Sequence, residues 1–297
     1  MSQPDRMDQV TNLKNRITDE IFFALGFGRT GFVRRVFGAL FSTPAARFAR
    51  IAAKLENEVT RAGLQAGALC ILDDFSLRVN TWGTGEIPRE GPLLIVCNHP
   101  GAYDSLAITA AIPRPDLTLV ASDVGFTRAL TATSAHLIYV STDAIERMNA
   151  LRDSIQHLKN GGAILLFARG DVEPDPAFMS GAAETMDEWS HSIEIMLRKV
   201  PQTQLQVAIA SGFILPRFAR NPLIKIRKKP FHQQKMAELF QILQQLVFPN
   251  SIGKIDVHIS FARPICAAEL AGEKIMLAVI RLARQHLQEH IQYYRLL

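Results

Sequence analysis

Short apolar runs alternate with longer segments of helical periodicity through the middle of the chain. The runs hold few polar residues, which is typical of strands covered on both faces of a parallel sheet. They fall at residues 93–96, 117–122, 136–140, 163–167 and 205–210. Residues 145–159 instead have apolar positions at helical spacing, and Asn160-Gly161-Gly162 ends that helix. The pattern predicts an α/β fold with a mixed, mostly parallel central sheet flanked by helices.

The first 75 residues predict a mainly helical segment. Apolar residues recur at helical spacing from Phe32 to Phe41, and Pro44 is expected to separate this helix from a second one over residues 45–63. From Arg29 to Lys54 the chain holds six basic residues and no acidic one. Such a basic, Phe-rich helix either docks on anionic lipid or packs on the domain with a solvated basic face. We expect residues 1–75 to form an N-terminal helical, membrane-apposed segment and residues 76–297 to form the main domain.

The end of the chain predicts a helix over residues 233–248, a strand over 254–261 and a long helix over 267–294. The last helix contains His286-Leu287-Gln288-Glu289-His290, formally the H-x-x-E-H arrangement of one metallopeptidase class. That class needs a third ligand well downstream, and the sequence ends at Leu297. We therefore interpret these side chains as polar residues on an exposed helix and expect no metal site.

Composition narrows the class of protein. The chain has 297 residues, 48% of them hydrophobic and 21% charged, which is typical of a globular protein with a sizeable core. Its net charge of +5 favours anionic partners such as phosphates, acidic carriers or lipid headgroups. Three widely spaced cysteines indicate reduced thiols rather than a disulfide framework. With a polar N-terminus that fits no secretory signal, the chain is expected to be cytoplasmic.

The candidate chemistry follows the first buried strand, in Asn98-His99-Pro100-Gly101-Ala102-Tyr103-Asp104. Pro100 keeps His99 out of the helical region, so the imidazole lies at the carboxyl end of the strand. Ligands of open α/β sheets bind at this end. A carboxylate bonded to one imidazole nitrogen leaves the other free to act as a general base. Spacing alone also allows a surface histidine in a turn and an aspartate that caps a helix.

This segment resembles the N-H-x4-D block of the phospholipid/glycerol acyltransferase family, the PlsC-like enzymes. Members of that family move a fatty acyl group from a thioester carrier to a lysolipid or glycerol derivative. The resemblance implies that His99 is the catalytic base, that Asp104 orients it, and that residues 76–297 form the acyltransferase domain. It extends over roughly residues 76–265.

A second block of the family, F-P-E-G-T-R-S, is only partly matched by Phe167-Ala168-Arg169-Gly170-Asp171-Val172-Glu173. Arg169 stands at its glutamate and Val172 at its arginine. The segment fits better to a branch that reads F-P-A-G-E-V-S, since Gly170, Asp171 and Val172 agree with it. That branch includes hemolysin-like and ornithine-lipid acyltransferases.

The family associates two arginines with a phosphate of the acceptor, and both are absent here. Thr142 stands at the first position and Val172 at the second, with Arg128 or Arg169 as possible substitutes. The acceptor is therefore left open. Pro216 follows a strand where the family also has a strand and a proline that line the substrate cleft. The substrate-binding residues expected from the resemblance are Asn98, Arg128, Arg169, Gly170, Asp171 and Pro216.

The resemblance also implies the partners. We expect acyl-CoA or acyl-carrier protein as donor, a lysolipid or glycerolipid as acceptor, no nucleic acid, no metal and no tightly held cofactor. We expect the protein to be peripheral on the cytoplasmic face of an anionic membrane. A basic run over residues 217–229 is either a solvated face or a contact for coenzyme A, an acidic carrier protein or a membrane. The alternative function is a non-catalytic, membrane-associated lipid-binding protein on the same fold.

Overall fold

The computed structural model describes residues 32–226, 230–249, 251–270 and 274–296, with side chains from residue 43 onward except at positions 225, 230 and 231. The strands are β1 (Leu77–Trp82), β2 (Leu93–Cys97), β3 (Leu117–Ser122), β4 (Leu137–Val140), β5 (Ala163–Phe167), β6 (Gln204–Ser211), β7 (Ile255–Phe261) and β8 (Ile265–Cys266). The α-helices are α1 (Phe32–Ala62), α2 (Leu64–Ile71), α3 (Asp104–Ala111), α4 (Thr131–Ser134), α5 (Ala144–Lys159), α6 (Ala182–Thr185), α7 (Ser192–Lys199), α8 (Pro216–Ala219), α9 (Pro230–Val247) and α10 (Ile275–Tyr294). Short 3-10 helices include Met186–Glu188, Pro222–Ile226 and Ala267–Leu270.

All eight strands belong to one sheet, in the order β1-β7-β6-β2-β5-β3-β4, with β8 paired to β6. Every neighbouring pair from β6 to β4 is parallel. β7 and β8 are antiparallel to β6, and β1 is parallel to β7. The predicted mixed, mostly parallel sheet is confirmed. The carboxyl ends of β6, β2, β5, β3 and β4 meet at one edge, which we call the carboxyl edge.

Each face of the sheet is covered by its own hydrophobic core. Leu93, Ile95 and Cys97 of β2 enter the first core, together with residues of α1, α2, α3 and α9. Leu94 and Val96 enter the second core, with residues of α5, α7 and α10. All five side chains are 0% exposed. Because β2 is buried on both faces, its sequence is continuously apolar instead of alternating.

α1 runs without a break from Phe32 to Ala62 and contains Pro44. The prediction that Pro44 separates two helices is therefore wrong. A proline inside a helix removes one backbone hydrogen bond and crowds the preceding turn. The residues that follow Pro44 are held by tertiary packing, because Ala45 and Ala49 are fully buried in the first core. Packing here outweighs local helix propensity.

The described part of the N-terminal segment packs into the same core as the sheet, through residues such as Ile51 and Phe75. Of the basic residues that predicted a membrane-apposed face, Arg29 lies outside the described residues, and the side chains of Arg34 and Arg35 are not described. The boundary at residue 75 and the membrane contact stay predictions. Within the part of the chain described here, no helix combines the length and apolar character needed to cross a bilayer.

Two predicted helices have different bounds in the structure. The sequence predicts one helix around residues 184–199, but the structure has a break between Met186–Glu188 and α7. Trp189 lies in the break and is buried, with its indole N–H donating to Glu173 at 3.0 Å. The terminal helix, expected from residue 267, begins at Ile275 because Ala267–Leu270 forms a separate 3-10 turn. The bounds of both helices depend on tertiary contacts, which local periodicity does not show.

Candidate active site

Asn98 fixes the end of β2. Its Nδ2 donates to the Ala210 carbonyl at 2.9 Å, and its Oδ1 accepts from the Ala210 N–H at 2.8 Å. These bonds tie β2 to β6 at the carboxyl edge and use both ends of a residue that is 2% exposed. Asn98 therefore positions the residue that follows it. The substrate-binding role of Asn98 that the resemblance implied stays a prediction.

His99 and Asp104 lie side by side at this edge, because α3 begins at Asp104 and turns its carboxylate back toward the strand. His99 Nδ1 is 2.6 Å from Asp104 Oδ2. The same oxygen accepts from the Gly101 N–H at 3.1 Å, while Oδ1 accepts from the Ser105 N–H at 2.6 Å. Asp104 is 0% exposed. The carboxylate is therefore held rigidly and keeps Nδ1 as the protonated nitrogen of the ring.

The other side of the imidazole is open. The His99 side chain is 25% exposed, and its Nε2 has no hydrogen-bond partner among the described residues. Burial lowers the pKa of His99, but the nearby carboxylates of Asp104, Glu238 and Glu173 outweigh burial and raise this pKa above its ordinary value. The Phe167 ring at the end of β5 packs against the imidazole, with 4.4 Å between centroids. The pair thus has the arrangement of an oriented general base.

Glu173 holds the backbone of His99, a role that the sequence did not reveal. The His99 N–H donates to Glu173 Oε2 at 3.1 Å, and the Glu173 N–H donates to the His99 carbonyl at 2.7 Å. Glu173 Oε1 accepts from Thr185 and Trp189. Burial raises the pKa of this carboxyl, which is 1% exposed. The only sequence signal was an acidic residue shortly after β5, whose carboxyl end neighbours that of β2.

A stripe of polar residues on α9 holds the loop around His99 from the other side. The stripe consists of Gln234, Glu238, Gln241 and Gln245, all buried and spaced four, three and four residues apart along one helix face. Gln234 Nε2 donates to the carbonyls of Pro100 and Glu173, both at 2.8 Å. Gln245 accepts from the Tyr103 hydroxyl and donates to the Phe75 carbonyl. The helix thus satisfies backbone groups that a loop buried against it would otherwise leave unpaired.

Glu238 is the charged member of this stripe. Its Oε1 accepts from the Ala102 N–H, and a Cβ added at Gly101 would lie 2.6 Å from the same oxygen. Position 101 therefore has no room for a side chain unless Glu238 moves. Burial raises the pKa of Glu238 to about 7, and the Asp104 carboxylate adds to this increase. The His99 site is thus surrounded by three buried carboxyls: Asp104, Glu173 and Glu238.

The loop after β5 lies at the carboxyl edge next to the His99 loop, but its charged side chains turn to protein partners. Arg169 donates to Glu188 at 2.7 Å and to the Val172 carbonyl at 2.9 Å. Gly170 has φ +77°, and its N–H donates to the Phe167 carbonyl at 3.0 Å. Asp171 pairs with Lys235 of α9 at 3.1 Å. The loop is therefore near the base, with Arg169 engaged by a carboxylate.

The remaining predicted substrate residues make no hydrogen bond to the His99 cluster. Arg128 forms a two-pronged pair with Asp123, at 2.6 and 2.8 Å, and lies 4.2 Å above the Tyr139 ring. Pro216 is an exposed residue at the start of α8. Their substrate-binding roles stay predictions. Within the described ranges, no three His, Cys, Asp or Glu side chains are grouped so that they could hold a metal ion.

Comparisons with known proteins show what the region around this site is similar to. Residues 78–198, which contain His99, Asp104 and Glu173, match the Acyltransferase family model. No curated protein matches the sequence. The chain is similar to the crystal structure of the 1-acyl-sn-glycerophosphate (LPA) acyltransferase PlsC from Thermotoga maritima, with 15% identity, a TM-score of 0.45, and coverage of 94% of this chain and 96% of that one. Residues 78–198 therefore resemble an acyltransferase domain, and the His99–Asp104 pair lies within the matched part.

Proposed function

We propose that the chain transfers a fatty acyl group from an acyl thioester to a hydroxyl of a lysolipid or another glycerolipid-type acceptor. The observation that carries this proposal is the 2.6 Å bond between His99 Nδ1 and Asp104 Oδ2, which leaves Nε2 unpaired at the carboxyl edge. An imidazole oriented in this way takes a proton from an attacking hydroxyl. The Acyltransferase match over residues 78–198 supports the reaction class.

In the proposed reaction, His99 Nε2 takes the proton of the acceptor hydroxyl while that oxygen attacks the thioester carbonyl. A C–O bond forms, and the C–S bond of the tetrahedral intermediate then breaks. The proton on His99 passes to the leaving thiolate, so that the products are an ester and a free thiol. Asp104 stabilises the imidazolium that exists between the two steps.

The loop after β5 offers backbone donors for the negative oxygen of the tetrahedral intermediate. The Gly170 N–H is already used by the Phe167 carbonyl. The neighbouring N–H groups of Arg169 and Asp171 donate to no other described residue. We infer that one of these two, rather than Gly170, faces the oxyanion, because an unpaired backbone donor at this edge can stabilise developing charge.

We propose that the acceptor lacks a terminal phosphate monoester. An arginine fork binds such a group through paired, charge-assisted hydrogen bonds, and losing one costs roughly 1.5–3 kcal/mol. Thr142 and Val172 cannot form this contact. Arg169 is held by Glu188 and the Val172 carbonyl, which supports the proposal. The proposed acceptor is a lyso-aminolipid or another hydroxylated lipid.

The test is an acyl-transfer assay in which lysophosphatidate and a lyso-aminolipid compete as acceptors. Acyl-CoA and acyl-carrier protein are supplied in separate reactions, which also identifies the donor. We expect the lyso-aminolipid to be preferred. Efficient acylation of lysophosphatidate that is abolished by Arg169→Ala, but kept by the exposed control Arg152→Ala, would contradict the proposal. That result would make Arg169 the phosphate ligand.

We also propose that the protein is peripheral on the cytoplasmic face of an anionic membrane, with the basic N-terminal segment in contact with lipid. The support is the sequence from Arg29 to Lys54, which is basic and rich in phenylalanine. Binding to anionic vesicles should weaken as salt rises, because surface charge is screened within about 10 Å at 0.1 M salt. Reversing Arg34 and Arg35 to Glu should weaken it further. Unchanged binding would mean that this segment only packs on the domain.

A further inference from the structure

The chain between β6 and α9 presents two apolar side chains to solvent. Leu223 is 56% exposed and Ile226 is 75% exposed. The segment itself is anchored, because Phe218 and Ile224 are only 6% and 4% exposed and belong to the first core. We call residues 217–226 the β6 segment. An anchored segment that exposes two large apolar side chains is the kind of surface that meets a partner.

The charge around these side chains identifies the kind of partner. From Gly212 to Ala237 the sequence has seven lysines and arginines and no aspartate or glutamate. Arg217 and Arg220 of the β6 segment are exposed, and neither pairs with a carboxylate in the described structure. Arg217 lies over the Phe218 ring at 5.1 Å and donates to the Ile252 carbonyl at 3.4 Å. The exposed apolar residues Leu223 and Ile226 thus belong to the same segment as two exposed arginines.

The position of the β6 segment relates it to the active site. It leaves the carboxyl end of β6, the strand that pairs directly with β2 before the His99 loop. Beyond the segment the chain enters α9, whose Gln234 and Glu238 hold Pro100 and Ala102 of that loop. Neighbouring strands are about 4.8 Å apart, so the chain that leads into the β6 segment and the His99 loop leave the sheet from adjacent strands at one edge.

We propose that the β6 segment docks on an anionic bilayer, with Leu223 and Ile226 in the apolar layer and Arg217 and Arg220 at the headgroups. Coenzyme A and an acidic carrier protein offer negative charge as well. Two exposed aliphatic side chains within a basic surface favour a bilayer, since each stabilises binding by leaving water. Docking in this way holds the carboxyl edge against the lipid. The inference rests on the proposed function only for the lipid nature of the acceptor.

The test measures the binding of the full chain to vesicles of phosphatidylglycerol and phosphatidylcholine by sedimentation. Leu223→Ser with Ile226→Ser should lower the partition coefficient by about tenfold or more, because two aliphatic side chains no longer leave water. Arg220→Glu should weaken binding mainly at low salt. The matched control is Ile145→Ser with Met148→Ser on α5, whose residues are 72% and 51% exposed but lie beside Asp143 and Glu146. This pair should leave the partition coefficient unchanged.

Equal losses of vesicle binding in the two double variants, or no loss of binding in the Leu223 and Ile226 variant, would overturn the proposal. So would normal vesicle binding combined with a loss of activity toward acyl-carrier protein alone, which would assign the surface to the donor. Activity toward a short-chain acceptor dispersed below its micellar concentration should be the same in every variant. Absence of acyl transfer in the unmodified protein would count against the proposed function and leave the vesicle result valid.

Discussion

His99 and His290 both belong to hydrogen-bonded clusters held by the central sheet, and the two clusters differ in what they leave open. His99 bonds Asp104 through Nδ1 and keeps Nε2 unpaired. His290 uses both nitrogens, Nε2 with Ser211 Oγ and Nδ1 with Ser260 Oγ, each at 2.8 Å. His290 is 0% exposed, whereas the side chain of His99 is 25% exposed.

The cluster around His290 also contains His286, and its polar groups bond one another. His286 Nε2 lies 2.9 Å from Ser260 Oγ, and its Nδ1 lies 3.2 Å from Glu289 Oε2. Serine, histidine and glutamate thus follow one another as in a hydrolase triad, but Ser260 is 0% exposed and His286 only 2%. The interpretation of the H-x-x-E-H residues as polar groups on an exposed helix is wrong for both histidines. They are buried structural groups that tie α10 to β6 and β7.

The surroundings shift the pKa values of the two histidines in opposite directions. Carboxylates outweigh burial at His99 and raise its pKa above the ordinary value. Burial lowers the pKa of His290 to about 3, and the neighbouring His286 and His258 add to this effect. Similar hydrogen bonds therefore accompany a raised pKa and a free ring nitrogen at His99, but a packing group that is neutral near pH 7 at His290. Access to a free nitrogen and the sign of the nearby charge make the difference.

The largest expected effect is on activity at His99. His99→Ala should lower kcat by about 10²–10⁴, because a positioned general base contributes that much. Steady-state acyl transfer, with circular dichroism to check the fold, measures this. His290→Ala is the matched control and should keep kcat within a few-fold per folded molecule. Near-normal turnover in His99→Ala would end the mechanism proposed for this site.

Asp104→Asn should lower kcat by about a hundredfold or more. The amide is close to isosteric, but it no longer stabilises the imidazolium and allows the wrong tautomer of His99. The thermal midpoint of unfolding, measured beside kcat, separates this effect from a loss of stability. A kcat loss that merely follows the loss of folded protein would contradict the orienting role of Asp104.

His290→Ala should instead lower the free energy of unfolding by about 2–4 kcal/mol, since it leaves a cavity and removes the hydrogen-bond partner of the Ser211 hydroxyl, while Ser260 keeps His286. Denaturant unfolding at neutral pH measures the difference. His99→Ala, at a partly exposed residue, should cost less. A smaller stability loss at His290 than at His99 would reverse the assignment of the two clusters.

The same cluster predicts a pH dependence of stability. The unfolded state protonates His290 near its ordinary pKa, whereas the folded state does so only at about 3. Between these values the unfolded state binds more protons, so this histidine destabilises the fold by about 1.4 kcal/mol per pH unit as pH falls. His290→Gln should flatten the acid side of the stability profile. An unchanged slope would show that His290 does not cause the pH dependence of stability.

The smallest effect concerns Glu238. Its charge contributes to the raised pKa of His99, and His99 must be neutral to accept a proton. Glu238→Gln should therefore move the acid limb of kcat/KM to lower pH, while the amide oxygen still accepts from the Ala102 N–H. Glu146→Gln, an exposed change on α5, should leave the limb in place. A limb that moves to higher pH in Glu238→Gln would contradict the electrostatic role.

The local sequence pattern was sufficient to predict the His99–Asp104 pair, but not the hydrogen-bonded cluster around His290. The apolar run of β2, the break at Pro100 and the five-residue step to Asp104 all lie within one short segment, so their relation is visible in sequence. Ser211, Ser260 and His290 meet only through the folding of β6, β7 and α10. A single sequence contains no signal for that pairing.

The support around His99 was hidden for the same reason. Gln234 reaches Pro100 across 134 residues, and Glu238 reaches Ala102 across 136. Their spacing on α9 resembles that of an ordinary solvated face. The role of the polar stripe is visible only when the His99 loop is packed against it. The role of Glu173 likewise depends on β5 lying beside β2.

The most direct test of the central claim is whether the protein forms an ester at all. The measurement incubates the unmodified chain with a radiolabelled acyl thioester and a panel of lysolipids, and quantifies both the labelled lipid product and the free thiol. We expect equal amounts of ester and thiol, with both lost in His99→Ala. Saturable lysolipid binding without either product, across both donor types, would contradict it and identify a non-catalytic lipid-binding protein on this fold.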